Sequence, residues 1–149
     1  MAFIIAIFVF FLDQLSKYLI LQNLKLRESI PVVDNIFHLT LVYNKGAAFG
    51  IFQNGINIFI IAALIAIGVI IFDITGSKRK DKDLFYNLAL GLVLGGILGN
   101  LFDRIYLGYV IDFLDFRIWP VFNVADSAIT IGALLLGYLI LRKDAKAKA

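Results

Sequence analysis

Four stretches of this chain are too long and too apolar for the core of an ordinary soluble domain. They run roughly over residues 2–21, 56–74, 84–102 and 124–141. A helix needs about 20 consecutive apolar residues to cross the hydrocarbon of a bilayer. In lipid, a single segment satisfies its own backbone only as a helix. The chain as a whole is 61% hydrophobic over 149 residues, where soluble domains are about half apolar. The expected fold is an all-α membrane protein of four transmembrane helices, with residues 1–149 forming one membrane-embedded domain. The first stretch is expected to stay in place as a helix and not to be a cleavable leader. It lacks a basic start and a small-residue cleavage site, and it carries Asp13, Gln14 and Lys17 within the apolar run.

Charge sets the orientation. Lys78, Arg79, Lys80 and Lys82 lie between the second and third stretches, and Arg142, Lys143, Lys146 and Lys148 follow the fourth. Basic loops stay in the cytoplasm, so both termini are expected inside, and the loops 22–55 and 103–123 outside. The net charge of +3 is concentrated in these clusters. It therefore speaks to topology and not to a nucleic-acid partner.

The outer loops carry the polar chemistry. Between the last two apolar stretches, and at their facing ends, stand Asn100, Asp103, Arg104, Asp112, Asp115, Arg117, Asn123 and Asp126. Ionisable groups at the edge of a bilayer are costly, and a membrane protein that gathers several usually uses them. Asp112 sits among Ile111, Phe113 and Leu114 with no local partner. Asn123 reads as the N-cap of the fourth helix, with Asp126 at its N3 position, so Asp126 also has a purely structural explanation in the helix dipole. Asp103 and Arg104 read as an interfacial ion pair or helix end, or as part of the chemistry. Asp13 and Lys17, one turn apart, can pair. They either fix the depth of the first helix, with Lys17 snorkelling outward, or bring Asp13 to a shared polar site. Trp119 suits an interfacial anchor.

The run 36–43, IFHLTLVY, has the β-branched and aromatic composition of a strand, with 30–33 as its partner. His38 within it reads as a packing or surface residue. The segment Asn44 to Gly50, NKGAAFG, is either a simple turn into the second helix or a ligand-facing loop, with Asn44 as a two-sided hydrogen-bonder. Gly91, Gly95 and Gly99, with Gly96 beside them, give the third helix a small-residue face for close packing in lipid.

The chain has no cysteine and a single histidine, which excludes disulfides, thiolate chemistry and a multi-histidine metal site. No HExxH or GxSxG pattern occurs, and His38 has no local support for a Ser-His-Asp set. Two close carboxylates sharing a proton can activate water and protonate a leaving nitrogen, so a peptidase here would be an aspartic one, with Asp112 and Asp126 as the pair. Paired acids in membranes also carry protons or ions. A small proton-coupled carrier using Asp13, Asp112 and Asp126 is the alternative, although Asp112 and Asp126 lie at one end of the bundle rather than along a path through it.

The combined pattern Asp13-Gln14-x-Ser16-Lys17, Asn44-x-Gly46-x-x-Phe49, Gly95-Gly96-x-x-Gly99-Asn100-x-x-Asp103-Arg104, Val110-x-Asp112-Phe113 and Phe122-Asn123-x-Ala125-Asp126 resembles bacterial lipoprotein signal peptidase, signal peptidase II. The motifs run in order along the whole chain. The resemblance implies an aspartic endopeptidase of the bacterial inner membrane that removes signal peptides from diacylglyceryl-modified prolipoproteins just before the lipidated cysteine. It implies Asp112 and Asp126 as the catalytic dyad, and Asp13, Asn44, Asn100, Arg104 and Asn123 as supporting or substrate-binding residues. It further implies a small extracytoplasmic β-cradle, inhibition by globomycin-type peptides, and no metal or organic cofactor.

Overall fold

The computed structural model describes residues 1–46, 55–76 and 84–148, with side chains of the last helix described as far as residue 143. Phe49 and the rest of the NKGAAFG segment beyond Gly46 lie outside the described residues. So do the cluster Lys78, Arg79, Lys80 and Lys82 and the side chains of Lys146 and Lys148.

The chain runs α1 (Ala2–Asn23), β1 (Ser29–Val33), β2 (Phe37–Asn44), α2 (Ile56–Gly76), α3 (Leu84–Tyr106), β3 (Val110–Asp115) and α4 (Val124–Lys148). All four helices are long and apolar enough to cross a membrane. Their large side chains point outward to an unusual degree. Phe8, Phe11, Phe72, Leu134 and Leu141 are all well exposed, which is stable only where the surroundings are themselves apolar. The molecule is a multi-pass membrane protein.

α3 is the hub, packed against both α1 and α4, with α2 on its remaining side. Its glycines make this possible. A Cβ on Gly95 would come 2.6 Å from the Ala6 carbonyl oxygen of α1, and one on Gly96 would collide with the Ala125 carbonyl oxygen of α4. Neighbouring small-residue positions on one helix thus admit two different backbones. Ala2, Ala6, Ile70, Leu90 and Leu94 fill the core at the end of the bundle where α1 begins.

The other end carries a three-stranded antiparallel sheet of order β1-β2-β3. The strands expected at 30–33 and 36–43 form as Ser29–Val33 and Phe37–Asn44, with Ile36 in the turn between them. β3 is an additional strand that the sequence reading treated as loop. Val110, Ile111, Asp112, Phe113 and Asp115 are all buried, so the strand lacks the alternation of apolar and polar residues that marks a half-buried edge. Ile111 and Phe113 pack with Ile20, Leu24 and Leu41, which fastens the sheet to the end of α1. In the ladder, Asp112 stands opposite Val42 and Val110 opposite Asn44, so β2 and β3 deliver Asn44 and Asp112 to one place.

Candidate active site

The site is assembled where the end of α3, the strand β3 and the start of α4 meet. Asn123 starts α4 as the sequence suggests. Its Oδ1 accepts the Asp126 backbone N–H at 2.8 Å, and its own N–H donates to Asp126 Oδ2 at 3.3 Å. This reciprocal cap satisfies two backbone donors at the helix end and holds Asp126 in the first turn. The Asn123 side chain also reaches β3, where its Nδ2 donates to Asp112 Oδ1 at 2.7 Å. One asparagine therefore binds both carboxylates.

The other amides complete the arrangement. Asn44 Nδ2 donates to Asp112 Oδ2 at 2.9 Å, while its Oδ1 accepts the Gly46 N–H at 3.0 Å, so it does bond on two sides. Asn100 Nδ2 donates to Asp126 Oδ1 at 2.7 Å. Each of the four carboxylate oxygens of the pair thus receives an N–H donor. Asn44, Asn100, Arg104, Asp112 and Asp126 line a pocket of about 230 Å³, walled by Trp119, Pro120, Val121 and Phe122. Arg104 lies with its guanidinium 5.1 Å from the Phe59 ring centre, and its charge acts on Asp126 and Asp112.

Asp112 is almost wholly buried, and burial pushes its carboxyl up from 3.8 to about 7. The neighbouring Asp126 charge pushes the same way, while the hydrogen bonds from Asn44 and Asn123 oppose it. An acid poised near neutrality can hold or release a proton at working pH. In the same pocket as a second carboxylate, it can serve as the proton donor while its partner serves as the base.

Asp13, the fifth supporting residue expected from sequence, lies one layer deeper and does not line the pocket. Its Oδ1 accepts the Ala125 N–H at 2.9 Å, next to the α4 cap, and its Oδ2 meets Lys17 Nζ at 2.7 Å. The structure corrects two readings here. Lys17 does not snorkel to the interface. It is 1% exposed and bridges Asp13 to Asp103, at 2.7 and 2.8 Å. Nor does Asp103 close α3 in a pair with Arg104. The helix continues to Tyr106, and Asp103 accepts from Lys17, from Gln14 Nε2 at 3.0 Å and from the Ile111 N–H at 3.1 Å. Lys17 and Gln14 were not among the expected site residues, and Asp103 stood there only as one of two alternatives. The sign that could have found them is that a cation inside an apolar span needs anionic partners, and a single Asp one turn away is half of what it takes. His38 faces Ser29 Oγ at 3.2 Å and stands opposite Asp115 in the sheet.

Four membrane-length helices, with a pocket at one end where two carboxylates and their amide donors converge, define a membrane-embedded protein equipped for acid–base chemistry. The family model for signal peptidase (SPase) II matches residues 5–142, and the chain belongs to that family of membrane proteases. It is 47% identical over 136 residues to the lipoprotein signal peptidase of Halothermothrix orenii, covering 91% of this chain and 92% of that one. It is 47% identical over 144 residues to the lipoprotein signal peptidase of Caldanaerobacter subterraneus, covering 96% and 97%. A solved bacterial membrane enzyme, determined in meso at 2.3 Å, superposes with a TM-score of 0.88 at 35% identity over 99% of this chain and 91% of that one.

Proposed function

We propose that the protein is an intramembrane aspartic endopeptidase that removes signal peptides from diacylglyceryl-modified prolipoproteins, cutting before the lipidated cysteine. The observation that carries this reading is the joining of Asp112 and Asp126 in one pocket by Asn123, with an N–H donor on every carboxylate oxygen. The relatives named lipoprotein signal peptidase supply the substrate class.

In the mechanism, Asp126 is the carboxylate and Asp112 the neutral acid. Asp126 takes a proton from water as the water oxygen attacks the scissile carbonyl carbon. Asp112 gives its proton to the carbonyl oxygen, so the tetrahedral intermediate is a neutral diol. When the C–N bond breaks, the leaving nitrogen takes the proton held by Asp126. A diol proton returns to Asp112, which restores the starting state. The asparagines hold the acids, and no metal or organic cofactor takes part. Arg104, on the pocket wall, is positioned to bind substrate backbone.

A relay for proton-coupled transport would need Asp13 free to exchange. Its oxygens are instead engaged by Lys17, Gln14 and the Ala125 N–H, which opposes that alternative. The single domain would sit in the bacterial inner membrane with both termini in the cytoplasm. Arg142 and Lys143, at the far end of α4 from Asp126, support an active site toward the outer leaflet. There a lipid-anchored substrate is held at fixed depth, which raises its effective concentration at the site. Incubating the purified protein with a lipidated prolipoprotein, with and without globomycin, tests the reading. Cleavage before the modified cysteine that globomycin blocks is the expected outcome. Absence of cleavage, or equal cleavage of the unlipidated precursor, would contradict it.

A further inference from the structure

We propose that Lys17 is a positioning residue for the carboxylate pair: its ammonium fixes the orientation of the Asn100 amide, so that Asn100 presents N–H, and never oxygen, to Asp126. This rests on the reading of Asp112 and Asp126 as the reacting pair.

A lysine ammonium has three donors and no acceptor. All three are used, on Asp13 Oδ2 at 2.7 Å, Asp103 Oδ2 at 2.8 Å and Asn100 Oδ1 at 3.2 Å. The third bond leaves Asn100 no choice. An amide has an oxygen end that accepts and a nitrogen end that donates, and the end facing a donor-only group must be the oxygen. The nitrogen is thereby turned toward Asp126 Oδ1, at 2.7 Å. The same oxygen accepts Asn123 Nδ2 at 3.0 Å. That contact agrees with Asn123's other duty, since its Oδ1 is held by the Asp126 N–H at 2.8 Å. Lys17 and the α4 cap therefore impose one polarity on the network from opposite ends. The Lys17 contact is the charged one, and charge-assisted bonds are roughly twice as strong as neutral ones.

The consequence is chemical. A base at Asp126 must be an anion, and N–H donors favour the anion. Were the Asn100 amide to turn over, its oxygen would face Asp126, and that contact is favourable only if Asp126 carries a proton. Lys17 thus protects the base from protonation without touching it. Its two carboxylate contacts make the device rigid. Asp13 and Asp103 anchor the ammonium from α1 and α3, while Gln14 Nε2, between them, donates to both acids. The charged groups facing this network are Asp13 on α1, Asp103 and Arg104 on α3, Asp112 on β3 and Asp126 on α4.

Activity profiles of the full-length protein on a lipidated prolipoprotein test the proposal. Lys17→Arg keeps a donor-only cation. Asp13→Asn/Lys17→Met removes the ammonium together with one of its carboxylates, so the net charge of the cluster is unchanged and the new amide still offers oxygen to the Ala125 N–H. With folding confirmed by thermal unfolding, the double variant is expected to lose about tenfold or more in kcat. That is part of the roughly 10²–10⁴ that positioned acid–base groups supply. KM should stay within about twofold, as befits an interaction made in the transition state. The acidic limb of its kcat/KM profile should move to higher pH, and the Lys17→Arg profile should keep the wild-type limb. If the double variant does not fold, Lys17→Gln carries the same prediction, because its amide can offer oxygen to Asn100 and release the constraint. A folded variant without the ammonium whose acidic limb stays in place, or whose loss falls on KM alone, assigns Lys17 to helix packing and overturns the proposal. Asp126→Asn is measured alongside. If it cleaves at the wild-type rate, the reading of the pair fails, whereas an inactive Asp126→Asn beside an unmoved Lys17 limb fails the Lys17 proposal alone.

Discussion

The protein holds two groups of carboxylates side by side, one buried and one opening onto a pocket, and they are solved in opposite ways. In the deeper one, Asp13 and Asp103 close on the Lys17 ammonium at 2.7 and 2.8 Å, in a space almost without exposure. In the other, Asp112 and Asp126 receive only amide donors and open onto a pocket of about 230 Å³. A cation in contact ties two carboxyls to one ammonium and makes them structure. Neutral amides orient the second pair without neutralising it, and burial together with the Asp126 charge then leaves Asp112 titrating at about 7. Residue type does not separate the acids held by a cation from those held by amides. The partner does.

That contrast can be broken in several places. Asp112→Asn and Asp126→Asn should each cut turnover by about 10²–10⁴ or more while leaving a folded protein that binds substrate. A near-normal rate in either would remove that residue from the chemistry. Lys17→Met alone leaves two buried carboxyls without their ammonium, and breaking a buried pair in this way costs about 3–5 kcal/mol. Denaturant unfolding in micelles should show that loss, and a variant as stable as the wild type would mean the deeper acids do not depend on their cation.

Asp112→Asn should do the reverse to stability. The wild-type carboxyl is raised from 3.8 to about 7, so its contribution is complete below 3.8 and declines as pH rises through about 7. The decline is at most about 1.4 kcal/mol per pH unit. Relative to the wild type, the Asn variant should therefore gain stability between pH 4 and 8, and a flat difference would contradict the shift. Gly99→Ala would place a Cβ 2.5 Å from Asp13 Oδ2. It should cost about 1–3 kcal/mol through overpacking, where Gly137→Ala, with nothing within 4 Å, should be neutral or mildly stabilising. The smallest effect is expected on the outer sheet. Arg117 pairs with Asp115 at 3.0 Å, but its side chain is 48% exposed, so Arg117→Ala should change stability by less than about 1 kcal/mol.

The helices were legible because lipid demands long, nearly uniform apolar runs, and the α4 start was legible because a capping Asn and an acid three residues on form a local pattern. Asp112 stood out because it had no partner nearby in sequence. β3 was hidden because burial on both faces erases the alternation that identifies a strand. The position of Lys17 was hidden for a different reason. Asp13 looked like sufficient company one turn away, while Asn100, which gives Lys17 its third contact, lies 83 residues further along the chain. Local pairing rules see the first contact and miss the network that keeps the cation buried.

The contrast between the two acid groups is tested most directly by infrared spectroscopy of the protonated carboxyl stretch during a pH titration in the membrane-reconstituted protein. Wild-type protein should show a protonated-carboxyl band that disappears as pH rises through about 7, the value to which burial and the Asp126 charge raise Asp112. The band should be lost in Asp112→Asn and unchanged in Arg117→Ala. In Asp126→Asn it should persist with its midpoint at lower pH, because one of the two causes of the shift is gone. A band that survives Asp112→Asn unaltered would place the neutral acid elsewhere and contradict the assignment of Asp112 as the proton-bearing partner.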